Sequence, residues 1–217
     1  KSSMWRAMYV STNFSNDRRF IMLLNDREIT NECIRRSMIS PFIPVKTSEI
    51  DGVKVPSFGL SHAGYDIRLN PDDFRIFLST TELEEIKIGE DYSSCIIKTR
   101  ASLREINGTK QLTVKIPGNS YALGVSLENF VIPHNIVGRC LGKSTFARVG
   151  IIVNVTPLEP GWCGHLTLEI SNSCPIPVVI PVLGGIAQIQ FERINTPSSI
   201  YHGKYQSQGS SVTLGKL

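Results

Sequence analysis

The sequence predicts an all-β fold, a sandwich or closed barrel, with one short helix ahead of it. Three observations carry that expectation. Past residue 57 the chain breaks into short β-branched and aromatic runs, such as 151–155 and 186–191, separated by Gly, Pro and Asn. After residue 40 no segment repeats its apolar residues at helical spacing, and only 145–149 offers a single turn. No linker interrupts the runs, so they belong to one unit, and 217 residues suffice for a real core.

Taken in order, residues 1–20 mix aromatic and polar side chains without a period and read as a loosely held N-terminal extension, leaving 21–217 as the domain. A helix is expected next, with Asp26 as N-cap, Ile29, Cys33 and Ile34 on one side, and Arg35 and Arg36 at the negative end of its dipole. The Pro- and Gly-punctuated stretch 41–56 reads as a long connection and not a strand. Strands are expected over 74–78, 95–99, 112–116, 121–126, 136–141, 151–155, 166–171, 178–180 and 186–191. Pro117-Gly118-Asn119 forms the turn between the third and fourth. The tail, 206–217, is rich in Ser, Gly and Gln and is expected to be mobile without a ligand.

Composition narrows the class. Hydrophobic residues make up 41% and charged residues 19%, ordinary for a globular protein. A net charge of +4 suits an anionic ligand and is too mild and too evenly spread for a nucleic-acid partner. The five cysteines, Cys33, Cys95, Cys140, Cys163 and Cys174, are odd in number and form no C-x-x-C, so reduced thiols are expected. No apolar run reaches the roughly 18 residues of a membrane span, and the start lacks the apolar core of a signal peptide, so the reading is a cytoplasmic protein without a membrane partner.

The chemistry concentrates between Gly142 and Ser173. In Gly142-Lys143-Ser144-Thr145 the small residues let backbone N–H groups approach phosphate oxygens, and Lys143 adds a positive charge. It is not a P-loop, because Val137 stands where the first glycine would be and no long helix follows; a plain turn remains open. Arg148 on the same turn suits a phosphate or carboxylate, or is a surface arginine. Along 165–171, strand alternation sets Leu166, Leu168 and Ile170 on one face and His165, Thr167, Glu169 and Ser171 on the other. That second face is either solvated or the wall of a cleft. In a cleft, desolvation would raise the Glu169 carboxyl towards neutrality and suit it to acid–base work. His62, His134, His165 and His202 read as structural or exposed. Neither the H-x-E nor the P-C-x-x-C of a zinc nucleobase deaminase is present, and there is no G-x-S-x-G nucleophile elbow.

Several separated blocks together resemble the dCTP deaminase family, which is related to the trimeric dUTPases. They are Ser57-Phe58-Gly59-Leu60-Ser61 with Gly64-Tyr65-Asp66-Ile67-Arg68, Ile116-Pro117 with Asn119-Ser120, and Leu141-Gly142-Lys143-Ser144-Thr145-Phe146-Ala147-Arg148. Further along come Asn154-Val155-Thr156-Pro157-Leu158-Glu159-Pro160 with Trp162 and Gly164, Leu168-Glu169-Ile170-Ser171-Asn172, Gly185-Ile186-Ala187-Gln188, and Gly203-Lys204-Tyr205 with Gln208. The resemblance implies a distorted β-barrel or jelly-roll of the dUTPase-like type, assembled as a homotrimer with active sites at subunit interfaces. It implies zinc-free hydrolytic deamination of dCTP to dUTP and ammonia, which supplies dUTP for thymidine nucleotide synthesis, with Mg²⁺ accompanying the triphosphate. The nucleotide partners are dCTP, dUTP and dTTP.

Residue by residue, Glu169 matches the catalytic glutamate of that family, Ser144 a serine near the water and nucleotide, and Arg148 an essential arginine. Lys143, Ser144, Thr145, Phe146, Ala147 and Arg148 match its nucleotide-binding turn, and Thr167 and Leu168 flank the glutamate. Gln188 matches a nucleotide contact. Lys204 and Gln208 match a C-terminal segment that closes over the triphosphate. Tyr201 matches a tyrosine of that segment at a shorter spacing to Lys204, and Glu159 stands where many relatives carry an aspartate near the sugar. Lys143 replaces an arginine common in the family and loses bidentate phosphate binding. The rivals are a dUTPase on the same fold, opposed by the missing aspartate in 156–160, a bifunctional enzyme doing both steps, and a non-catalytic nucleotide-binding trimer.

Overall fold

The computed structural model describes residues 22–78 and 84–215. The extension expected over residues 1–20 lies outside the described residues. Among the described residues the one long helix, α1 (Asp26–Arg36), begins on a reciprocal capping box: the Asn25 side chain accepts from the Glu28 amide at 3.1 Å, and the Glu28 carboxylate accepts from the Asn25 amide at 3.1 Å. Asn25, not Asp26, is therefore the N-cap, because only from Asn25 does a glutamate fall three residues on. Ile29 and Cys33 are buried as expected, but Ile34 is 75% exposed; five residues past Ile29 it has rotated off the buried stripe.

Among the described residues there are fourteen strands: β1 (Met22–Leu23), β2 (Ile39–Ser40), β3 (Thr47–Ile50), β4 (Val53–Ser61), β5 (Gly64–Phe77), β6 (Ile96–Thr99), β7 (Ser102–Ile106), β8 (Thr109–Ile116), β9 (Ser120–Val131), β10 (Ile136–Gly142), β11 (Ile151–Asn154), β12 (Cys163–Asn172), β13 (Val178–Pro181) and β14 (Gly185–Arg193). A one-turn helix, α2 (Ser144–Ala147), sits where the single turn was expected. The main sheet runs β1-β14-β5-β9-β12-β11. β10 also pairs with β14, β4 and β6 with β5, and β2 with β9; a second sheet runs β13-β8-β7. The chain is mostly strand and the sheet curls on itself around one core, in which Tyr65, Phe74, Phe130, Phe191 and Leu168 are fully buried. The all-β expectation holds.

Two segments depart from the sequence reading for one reason. The stretch 41–56 holds β3 and the start of β4, joined by Asp51-Gly52 with φ of 49° and 79°. β7 and β8 are joined in the same way by Asn107-Gly108, at 50° and 76°. Both dipeptides supply two successive positive φ angles, which a two-residue hairpin of type I′ requires.

One polar pair is deep in this core. Glu128 is fully buried on β9. Its carboxylate accepts from the Arg68 backbone amide at 2.9 Å and from Arg68 Nε at 2.8 Å, while the guanidinium lies 4.7 Å from the centroid of the Phe58 ring. Burial pushes the Glu128 carboxyl up, and the Arg68 charge opposes that shift. Removing one partner strands the other charge, so Glu128→Ala should lower the unfolding free energy by about 3–5 kcal/mol in a urea titration.

Candidate active site

Glu169 lies near the middle of β12, where the burial alternates residue by residue between half-buried and buried. Antiparallel partners hold the strand on both sides, with Glu169 opposite Leu123 of β9 and Asn154 of β11. Its backbone is fixed, and alternation turns its side chain to the non-core face together with His165 and Thr167. That face lines a cavity of about 470 Å³. One carboxylate oxygen, Glu169 Oε2, is buried and has no hydrogen-bond partner.

Such a group is poised for proton exchange. Burial raises the Glu169 carboxyl above its ordinary value of 4.5. Two neighbours register its charge. The Tyr121 phenol and the Cys140 thiol are each pushed up to about 12, first by burial and then by Glu169. Because the folded pKa exceeds the unfolded one, stability from this group is present below 4.5 and is lost as pH rises through the folded value. Glu169→Gln should therefore melt above the wild type at about pH 8 and lose that advantage on acidification, as thermal melts across pH would record.

The cavity gathers part of the residue set read from the sequence. Glu159, Thr167, Glu169, Tyr201 and Gln208 all line it. Thr167 Oγ1 donates to Gln208 Oε1 at 3.1 Å, and the Tyr201 amide donates to the Pro160 carbonyl at 2.8 Å, which seats that ring at the wall. Lys204 is exposed, with Nζ 5.5 Å from the Tyr205 ring, itself part of the lining. Leu168 points the other way and is wholly in the core.

The residues read from the sequence as a phosphate turn, 143–148, do not line that cavity. Ser144, Thr145, Ala147 and Arg148 are exposed, whereas Phe146 anchors the turn in the core at 5% exposure. Lys143 Nζ donates to the Ser57 carbonyl, to Ser57 Oγ at 3.1 Å and to Asp66 Oδ2 at 2.7 Å. Gln188 Nε2 donates to the other Asp66 oxygen at 2.9 Å and to Ser61 Oγ at 3.0 Å. Lys143 and Gln188 are thus joined through one carboxylate, 1% exposed, and not through the Glu169 cavity.

Sequence reasoning passed over several cavity residues. Tyr121 lies on β9 two positions before Leu123, so the alternation of that strand contained its placement. Trp162 stands in one of the family blocks; its Nε1 donates to the Tyr205 carbonyl at 2.8 Å and ties the tail to the wall. Phe77 and Tyr92 stack at 6.0 Å, and no local signal foretold that they would meet. His165 is structural, with Nδ1 2.9 Å from the Ser126 carbonyl. None of the five cysteines is joined in a disulfide. Among the described residues, no group of three or more His, Cys, Asp or Glu side chains is placed to hold a metal ion.

Comparison with known proteins shows the family. Residues 24–194 match the family model described as dCTP deaminase-like. The dCTP deaminase of Protochlamydia amoebophila is 38% identical over 199 residues, covering 90% of this chain and 99% of that protein. That of Acidithiobacillus ferrooxidans is 40% identical over 196 residues, covering 88% and 97%. The crystal structure of 2'-deoxycytidine 5'-triphosphate deaminase from Agrobacterium tumefaciens shares the fold, with a TM-score of 0.54 at 17% identity over 81% of this chain and 49% of that longer one. With a fold, a buried carboxylate at a cavity and close relatives along nearly its whole length, this chain belongs to the dCTP deaminase-like family.

Proposed function

We propose that the protein deaminates dCTP to dUTP and ammonia, with Glu169 as the proton carrier. The observation that carries this reading is the raised, half-buried carboxyl whose unpartnered oxygen sits at the wall of the cavity. Glu169 takes a proton from water as its oxygen adds to C4 of cytosine, and passes it to N3. It then moves the remaining hydroxyl proton to the amine, which departs as ammonia. A carboxyl raised towards working pH both accepts and returns a proton readily. Burial strengthens each of these electrostatic contacts.

The triphosphate supplies binding energy remote from the reacting carbon. On this reading Ser144 and Arg148 belong to the site of a neighbouring subunit in a homotrimer. Support comes from their exposure beside apolar residues that a lone chain leaves open: Leu141 at 45%, Val149 at 48% and Ile152 at 56%. Mg²⁺ fits as a companion of the triphosphate, held by phosphate oxygens and water and not by a carboxylate cage. The absence of the H-x-E and P-C-x-x-C ligand motifs supports proton chemistry without zinc.

The test is incubation with dCTP, dCMP and dUTP, with ammonia and pyrophosphate measured separately, before and after zinc chelation and Mg²⁺ withdrawal. Ammonia from dCTP that survives chelation, needs Mg²⁺ and is nearly absent with dCMP is the expected result. Pyrophosphate from dUTP would establish a dUTPase step as well. Nucleotide binding without either product would identify a non-catalytic member.

A further inference from the structure

The C-terminal strap, residues 206–215, returns across the cavity and is held at several points. The Ser207 amide donates to the Cys163 carbonyl, and the His165 amide to the Gln208 carbonyl, both at 2.9 Å. The strap then loops around Thr167, whose hydroxyl donates to Gln208 Oε1 and accepts from the Thr213 amide at 3.3 Å. At the centre of the loop Val212, 7% exposed, packs against Leu123 and Val125, the β9 neighbours of Glu169 and Thr167.

The contact beside it is of another kind. The Val212 amide donates to Asp73 Oδ2 at 2.9 Å, and Asp73 is only 4% exposed. Its other oxygen is taken by Arg75 Nη1. A charge-assisted hydrogen bond to a buried carboxylate is about twice as strong as a neutral one. Leaving a buried carboxylate oxygen without its donor is costly. Undocking the strap takes this donor from Asp73 Oδ2 and leaves water in its place, so the carboxylate favours the docked state beyond what the Val212 side chain contributes.

We propose that Asp73 is a positioning residue of this site: its Arg75-held carboxylate latches the Val212 amide and so sets Gln208 and Thr167 against the cavity. Its effect on turnover rests on the deaminase reading; its effect on the strap does not. Three variants of the full chain test it. Asp73→Ala removes the acceptor. Asp73→Asn keeps one. Val212→Pro removes the donor and leaves the Asp73–Arg75 pair in place.

Hydrogen exchange of the strap amides should quicken about tenfold or more in Asp73→Ala and Val212→Pro, with KM for dCTP rising about tenfold and kcat within about threefold. Asp73→Asn should recover most of both. A general structural defect would lower kcat or melting temperature without the rise in KM. If Asp73→Ala fails to fold, Val212→Pro decides. Unchanged exchange in Val212→Pro, or faster exchange with unchanged KM, overturns the latch. Absence of dCTP turnover in the wild type would defeat the deaminase reading, while the exchange measurement still decides whether Asp73 holds the strap.

Discussion

Glu169→Gln should lower ammonia release from dCTP by about 10²–10⁴-fold while leaving dCTP binding nearly unchanged. Glutamine matches the carboxylate in shape and carries no exchangeable acid proton. The backbone that presents it is pinned between β9 and β11, so the substitution cannot shift the strand. The same exchange relieves a desolvated charge, so loss of activity should accompany gained stability at neutral pH. Calorimetric titration with dCTP beside a steady-state ammonia assay separates binding from chemistry. Near-normal turnover in this variant would remove Glu169 from the mechanism.

Arg148→Ala should also be inactive, yet mixing it with Glu169→Gln should restore activity. Arg148 is exposed on the turn after α2, and the Glu169 cavity is lined without it. If a cyclic trimer brings the turn of one subunit to the cavity of the next, each site takes its arginine and its glutamate from different chains. Random assembly of an equal mixture then leaves about a quarter of all sites, and about a third of those in mixed trimers, with both groups intact. Co-refolding differently tagged variants, purifying the doubly tagged fraction and assaying ammonia measures this directly. Mixed trimers no more active than either parent would mean that both groups act within one chain.

The β-rich architecture was legible because its signals are local. Alternation on β12 separated Leu166, Leu168 and Ile170 from Glu169, and the burial pattern follows it. The hairpins at Asp51-Gly52 and Asn107-Gly108 were equally local, but the prolines around the first masked the turn chemistry. The helix start was misplaced by one residue because two adjacent side chains both suit an N-cap, and the position of Glu28 alone discriminates them. The site was legible only in part. Sequence order sets the Glu169 strand next to the turn 143–148, whereas in the fold that turn does not line the Glu169 cavity. The Asp66 group that captures Lys143, the Phe77–Tyr92 stack and the Asp73–Val212 contact join positions distant in sequence, and no spacing rule reports such meetings.

The strand that carries Glu169 is sheltered unevenly. β11 pairs only with its last four residues, Glu169 to Asn172, so the leading half has β9 on one flank and the returning tail, through Gly164 and Gln208, on the other. A tail that lifted to admit a molecule would bare a row of amides and carbonyls able to recruit a foreign strand. On that reading, substrate entry and resistance to aggregation would depend on the same few residues. A preparation kept saturated with nucleotide should stay dispersed in storage where an empty one clouds.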